Sequence, residues 1–225
     1  MSAAAATHHD KTIRREVVIG PLHLTGDLWL PADSGALVIF AHGSGSSRLS
    51  PRNRAVAAAL NEQGIATLLF DLLTPNEELN RANVFDIALL ADRLIDVVRW
   101  IESQDFLASK PIGLFGASTG AAAALVAAAE LGRRIGAVVS RGGRPDLADT
   151  ALDRVTAPTL LIVGARDTGV IELNELAYAR LRCVKSIDIV PGATHLFPEP
   201  GAMNTVIALA ARWFRQHLVT AAKSG

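Results

Sequence analysis

Cysteine is almost absent from this sequence. The 225 residues contain one, Cys183, so the chain cannot form an intramolecular disulfide. Secreted domains often depend on disulfides, whereas reduced cysteines are usual in the cytoplasm, so we expect a cytoplasmic location. Cys183 falls in a helical pattern, and we interpret it as a packed side chain and not as a reactive thiol.

Net charge and long apolar runs are absent as well. Lys and Arg total 22 and so do Asp and Glu, which argues against the basic excess typical of nucleic-acid binding. No apolar run approaches the roughly 18 residues of a transmembrane helix, so no membrane partner is expected. Residues 1–11 lack the basic start and apolar stretch of a signal peptide and are predicted to be a flexible tail. We interpret His8 and His9 within it as a solvated pair, and we expect no metal and no cofactor.

Half of the residues are apolar, and from residue 36 onwards short apolar runs alternate with helical patterns. The runs that predict buried strands span residues 36–41, 66–70, 112–115, 135–139, 158–163 and 186–190, after a hairpin over 14–30. Helical spacing is seen over residues 51–63, 84–103, 121–129, 171–183 and 202–219. Such alternation predicts a single α/β domain over residues 12–225, with a mostly parallel sheet covered by helices on both faces.

The most informative segment is G-A-S-T-G, Gly116 to Gly120, between a predicted strand and an Ala-rich helix. It fits G-x-S-x-G, in which a sharp turn raises a serine hydroxyl above the sheet. The turn also places Ser118 at a helix N-terminus, where the N–H of Thr119 can bind an oxyanion. The alternative is a glycine-rich turn whose serine only caps the helix.

A serine nucleophile needs a base, and the base needs an orienting acid. Of the six histidines, only His42 and His195 follow predicted parallel strands. We predict that His195 is the base and Asp167 the acid, because nucleophile, acid and base then occur in the chain order expected for this turn. His42 is expected to hold its own turn by hydrogen bonding.

Further site residues are predicted in loops at the strand ends. The N–H of Ser44 is expected to be the second oxyanion donor, beside that of Thr119. His42, Arg48 and Arg141 are candidates for lining the substrate pocket, where an arginine could bind an acidic group or pair with a neighbouring carboxylate.

Four motifs in order, H-G-S-G, G-A-S-T-G, G-A-R-D and G-A-T-H, span residues 42 to 195 and resemble the α/β-hydrolase superfamily. Small size and the lack of a long insertion make the chain similar to the dienelactone hydrolase family. This resemblance implies an eight-stranded sheet with its second strand antiparallel, and hydrolysis through an acyl-enzyme. Members of that family carry cysteine at the turn, whereas this chain has Ser118, which points to a general carboxylesterase.

We therefore expect a monomeric or homodimeric serine hydrolase of small carboxylic esters or lactones. Organophosphorus esters are an alternative substrate class. A non-catalytic anion-binding module is another, because Gly43–Arg48 lies between a strand and a helix, although it lacks the Gly-Lys ending of a phosphate-binding loop. No connecting segment is long enough for a large lid, so an open site preferring acetyl or butyryl esters is expected.

Overall fold

A computed structural model describes residues 12–219 as an eight-stranded sheet covered by helices. The strands run in the spatial order β1-β2-β4-β3-β5-β6-β7-β8. Their bounds are β1 Ile13–Ile19, β2 Leu24–Leu30, β3 Ala36–Ala41, β4 Ile65–Phe70, β5 Ile112–Ala117, β6 Ile135–Arg141, β7 Thr159–Gly164 and β8 Lys185–Val190. The predicted tail lies outside the described residues.

The helices follow the strands in the predicted alternation. Their bounds are α1 Pro51–Asn61, α2 Pro75–Glu78, α3 Arg81–Phe85, α4 Ile87–Glu102, α5 Thr119–Leu131, α6 Thr168–Arg180 and α7 Ala202–Phe214. Short 3-10 segments cover Gly132–Arg134 and Pro145–Arg154, and a π-helical turn covers Arg215–Val219. No helix within the described residues is long and apolar enough to cross a bilayer.

Strand directions confirm the expected arrangement. β2 pairs antiparallel with β1 and β4, and all further pairs are parallel. Every residue of β3, β4, β5 and β7 is buried, which explains their unbroken apolar runs. The carboxyl ends of the parallel strands therefore meet at one edge of the sheet, where ligands bind in such folds.

Two apolar layers sandwich the sheet. On one face, residues of α4, α5 and α6 pack against the strands, and α5 is buried along almost its whole length because alanine lets it lie close. On the other face, α1 and α7 cover the sheet. Gly113 allows this contact, because a Cβ there would lie 2.7 Å from the Phe214 ring.

The long helix predicted over residues 84–103 is in fact two helices. Asp86 has a non-helical backbone with φ −78° and ψ 92°, and its carboxylate accepts a hydrogen bond from Leu89 N–H at 3.0 Å, which caps α4. Apolar spacing continues across the break, so periodicity alone could not show it. The predicted first hairpin also turns later than expected, because His23 has φ 53° and lies in the turn, not in β2.

Candidate active site

Ser118 lies between β5 and α5 in a strained backbone conformation. Its φ is 51° and its ψ is −122°, a region that a non-glycine residue rarely adopts. Two glycines allow the turn. A Cβ on Gly116 would lie 2.4 Å from Ala121 Cα, and one on Gly120 would lie 2.3 Å from the Ala41 carbonyl oxygen. The sequence therefore permits a turn at which the Ser118 side chain stands at the sheet edge.

The loop after β3 closes over this turn. A Cβ on Gly43 would come within 2.9 Å of Ser118 Cβ, so only glycine permits the approach. The N–H of Ser44 donates to Thr119 Oγ1 at 3.0 Å, and Thr119 N–H is the first amide of α5, which has no acceptor within its own helix. The two predicted donors thus lie on facing segments beside Ser118.

His195 and Asp167 are directly hydrogen-bonded. His195 Nδ1 donates to Asp167 Oδ2 at 2.6 Å, although the two residues are 28 positions apart in the chain. Asp167 follows β7 and His195 follows β8, and their side chains are 18% and 38% exposed. With the proton on Nδ1, Nε2 remains an acceptor and can remove a proton from a neighbouring group.

The end of β6 links His195 to Ser118. Ser118 N–H donates to the Arg141 carbonyl at 3.3 Å. The next residue, Gly142, has φ 50°, and a Cβ there would lie 2.9 Å from the His195 carbonyl oxygen and 3.7 Å from its ring carbon Cε1. The two predicted side chains therefore flank the same strand end, and Gly142 is required because His195 packs directly on its backbone.

Glu199 is a site residue that the sequence did not reveal. Its carboxylate accepts two hydrogen bonds of 3.1 Å from Thr194 N–H and one of 2.6 Å from Thr194 Oγ1. These hydrogen bonds lower the pKa of Glu199, against a smaller opposing effect of burial. Because Thr194 directly precedes His195, the contact clamps the loop that carries the imidazole.

His42 is engaged at both ring nitrogens. Leu72 N–H donates to Nε2 at 3.2 Å, so Nδ1 carries the proton and donates to the Gly43 carbonyl at 3.0 Å. The residue is 7% exposed, and burial lowers its pKa, which favours the neutral ring. In this arrangement His42 ties the loop after β3 to the segment after β4, and neither nitrogen is free to act as a base.

The two arginine candidates have different surroundings. Arg48 donates from its backbone N–H and from Nη1 to Asp71, each at 2.8 Å, and ion pairs with Glu16 and Asp27 at 3.3 and 3.6 Å. Three carboxylates thus surround its charge, an arrangement that leaves the Gly43–Arg48 loop poorly suited to binding an anion.

Arg141, by contrast, is 5% exposed and has no carboxylate partner among residues 12–219. Its Nη2 donates to Asn53 Oδ1 at 3.4 Å, its guanidinium lies 5.9 Å from the centre of the Phe197 ring, and its Nε has no partner within the described chain. Burial, with a smaller effect of Arg52, lowers the pKa of Arg141 to about 10. The guanidinium is therefore a buried and poorly compensated cation next to the loop of His195.

A groove of about 810 Å³ adjoins the site on the β3 and β4 side. The loop after β3 forms one wall, from His42 to Pro51, without Arg48. Apolar side chains form the other walls; they are Leu72, Leu73, Val84, Phe85 and Leu90, with Glu78 and Arg81 also present. Of the three pocket candidates, His42 alone lines this groove.

Comparison with other proteins gives the family. Residues 34–207 match the alpha/beta hydrolase domain. The chain belongs to the α/β-hydrolase family. A dienelactone hydrolase from Anabaena variabilis is 51% identical to this chain and superimposes on it with a TM-score of 0.89. The match covers 94% of this chain and 100% of the Anabaena chain. Those values show that the chain is of the dienelactone hydrolase type.

Other relatives are more distant in structure or longer in sequence. The Est1E protein of Butyrivibrio proteoclasticus shares the fold, with a TM-score of 0.75 at 18% identity. The match covers 90% of this chain and 98% of Est1E. Two Mycobacterium tuberculosis proteins, provisionally named phosphoribosyl transferases, are each 59% identical over 210 residues. This match covers 93% of this chain but 47% of each relative, so the chain spans about half their length.

Proposed function

We propose that this hydrolase cleaves carboxylic esters or lactones through an acyl-enzyme on Ser118, with His195 as the base and Asp167 as the orienting acid. The 2.6 Å hydrogen bond between His195 and Asp167, beside the strained turn of Ser118, is the main support. In the neutral imidazole this hydrogen bond places the proton on Nδ1 and leaves Nε2 as the acceptor that can take the serine proton.

The electrostatics of the turn suit the same reaction. As Ser118 attacks a carbonyl carbon, negative charge develops on the carbonyl oxygen. We assign its stabilisation to Thr119 N–H, at the positive end of α5, and to Ser44 N–H across from it. Ser44 N–H donates to Thr119 Oγ1 at 3.0 Å in the free enzyme, so it must turn from this hydroxyl to the carbonyl oxygen when the oxyanion forms.

The reaction then proceeds in two steps. Ser118 adds to the ester carbon as His195 removes its proton, and the protonated imidazole gives that proton to the departing alcohol oxygen. Water activated by His195 releases the acid and regenerates Ser118. Asp167 stabilises the imidazolium in both steps.

The name given to the longer Mycobacterium relatives is not assigned to this chain, because its match covers about half of each protein.

Replacing the nucleophile tests the proposal. We expect Ser118→Ala to lower the turnover of 4-nitrophenyl butyrate by roughly 10⁴–10⁶-fold, because the acyl-enzyme cannot form. Asp167→Asn should lower it by about 10⁴-fold, because the amide cannot favour the working tautomer or the imidazolium. The measurement is steady-state release of 4-nitrophenol, with a pre-steady-state burst expected for the unmodified enzyme.

Ser103→Ala is a matched control, because Ser103 is an exposed serine at the C-terminal end of α4 and makes none of the contacts of the candidate site. It should turn over normally. Near-normal turnover by a purified Ser118→Ala protein would reject Ser118 as the nucleophile. Full activity in Asp167→Asn would move the acid role to another carboxylate.

A further inference from the structure

The groove beside Ser118 indicates which substrates the proposed reaction takes. It begins at Gly43 and Ser44, the two residues that meet the Ser118 turn, and continues towards α3 and the start of α4. The inference rests on the proposed role of Ser118, since the direction of the substrate is set by the attack on its carbonyl.

The positions of the reacting groups decide which half of an ester enters the groove. His195 must give its proton to the departing oxygen, so the alcohol half lies on the His195 side. That side is formed by the end of β6 and the segments after β7 and β8. In the sheet, β5 carries Ser118 and separates β6 from β3, so the acyl half points away towards β3 and β4, where the groove lies.

The walls of the groove match an apolar group. Leu72, Leu73 and Leu90 are 1%, 4% and 3% exposed and belong to the core, so this part of the groove is built on a fixed surface. Val84 and Phe85 form the outer part, and Phe85 is 49% exposed. Glu78 and Arg81 are exposed and can keep their charges in water while the apolar side chains contact a ligand.

The size of the groove allows that group to be longer than butyryl. Its volume of about 810 Å³ falls in the upper part of the range for sites that enclose drug-sized ligands, roughly 300–1,000 Å³. A group longer than butyryl can therefore fit, and it would contact more of the apolar lining than an acetyl or butyryl group. The preference for short acyl groups expected from the sequence considered only the lengths of connecting segments, and this groove argues against it.

We propose that this groove is the acyl pocket and that the substrates are esters of apolar carboxylic acids of about octanoyl size, or of aryl acids of similar bulk. Each methylene that leaves water on binding should then raise the specificity constant by roughly three- to fourfold, until the groove is filled.

A chain-length series tests this inference. The kcat/KM values for 4-nitrophenyl acetate, butyrate and octanoate are measured below the micellar range of the esters. Octanoate has six more methylenes than acetate, and burial of two of them already gives about tenfold, so we expect an octanoate-to-acetate ratio of about tenfold or more in the unmodified enzyme. Val84→Trp, which places an indole in the groove, should lower that ratio by about tenfold, and Phe85→Trp should lower it as a second, independent obstruction.

Leu79→Trp is the matched control. Leu79 is 85% exposed and does not line the groove, so an indole there should leave the ratio unchanged. Circular dichroism identifies any variant that fails to fold. If one groove variant does not fold, the octanoate-to-acetate ratio of the other tests the acyl pocket. A ratio below one in the unmodified enzyme, or a ratio unaffected by both groove variants, would overturn the acyl pocket. Ester hydrolysis that persists in Ser118→Ala would instead overturn the proposed function, so the two failures are distinct.

Discussion

Ser118 and Arg141, at the ends of two neighbouring strands, are held in arrangements that cost free energy. A non-glycine residue with φ 51° is strained by about 1–3 kcal/mol, and the surrounding packing must offset this cost. Arg141 carries a charge in an almost fully buried position without a carboxylate within the described chain. Of the four non-glycine residues with positive φ in the described chain, Ser118 and Phe197 lie at the candidate site.

The cost at Arg141 can be measured. We predict that Arg141→Met raises the free energy of unfolding at pH 7 by about 1–4 kcal/mol, because an apolar side chain of similar length removes a poorly compensated buried charge. Urea unfolding followed by circular dichroism gives this value. Arg154→Met is the control, since Arg154 lies in an exposed ion pair with Glu130 and its loss should change stability by less than about 1 kcal/mol.

The lowered pKa of Arg141 predicts the same sign of the change in stability. Because the folded pKa of Arg141, about 10, lies below that of an arginine in the unfolded chain, the unfolded chain holds the proton more strongly. Folding therefore costs free energy wherever the group is charged in both states, which includes pH 7. A large loss of stability in Arg141→Met would instead show that the guanidinium makes a strong compensating interaction.

Among the structural elements, the loop between β8 and α7 positions His195 against Asp167. Three hydrogen bonds from Thr194 to Glu199 close this loop, and Phe197 N–H donates to the Thr194 carbonyl at 3.1 Å. Phe197 is 2% exposed and has φ 56°, so its ring anchors the loop in the core at the expense of backbone strain.

Glu199 should therefore act as a positioning residue. We predict that Glu199→Gln lowers kcat for an aryl ester by roughly 10–100-fold with little change in KM, because a displaced imidazole slows proton transfer more than binding. Thr194→Val, which removes the hydroxyl donor, should lower kcat in the same direction. Thr194→Ser keeps that donor and should restore most of the rate. If Glu199→Gln and Thr194→Val both have the kcat of the unmodified enzyme, the loop is held without this contact.

For the whole molecule, the buried neutral His42 couples folding to pH. Its folded pKa lies below the ordinary value because of burial, whereas the unfolded histidine titrates near 6.5. Above pH 6.5 neither state holds the proton, and the hydrogen bonds of the neutral ring contribute fully. As the pH falls below 6.5, the unfolded chain binds a proton that the folded chain does not, so stability is lost.

We predict that the free energy of unfolding decreases between pH 7 and pH 5, with up to about 1.4 kcal/mol per pH unit for each such histidine. His217, whose pKa is also lowered by burial, should add to the slope. Urea titrations at several pH values measure it. His42→Gln should be less stable at pH 7 but show a smaller slope, and an unchanged slope would mean that His42 does not carry this dependence.

Local patterns predicted most of the secondary structure. Apolar runs identified the parallel strands to within a few residues, and Ser50, followed by Pro51, identified the start of α1, where the Ser50 hydroxyl accepts from Asn53 N–H. The break at Asp86 was not predicted, because the apolar spacing of α3 and α4 runs on without interruption. Such a break depends on one side chain capping a helix and leaves no trace in the periodicity.

The sequence by itself determined that Ser118, Asp167 and His195 follow strands of a parallel sheet, because the order of runs and turns along a chain fixes at which sheet edge its loops emerge. The tertiary structure alone decided the contacts across large sequence separations. In the folded chain both nitrogens of His42 are hydrogen-bonded, and three carboxylates surround Arg48. Arg141 is buried, with no partner for its Nε among residues 12–219, and a groove lies next to Gly43. These features depend on distances between segments up to dozens of residues apart, and packing sets such distances, which local sequence patterns do not encode.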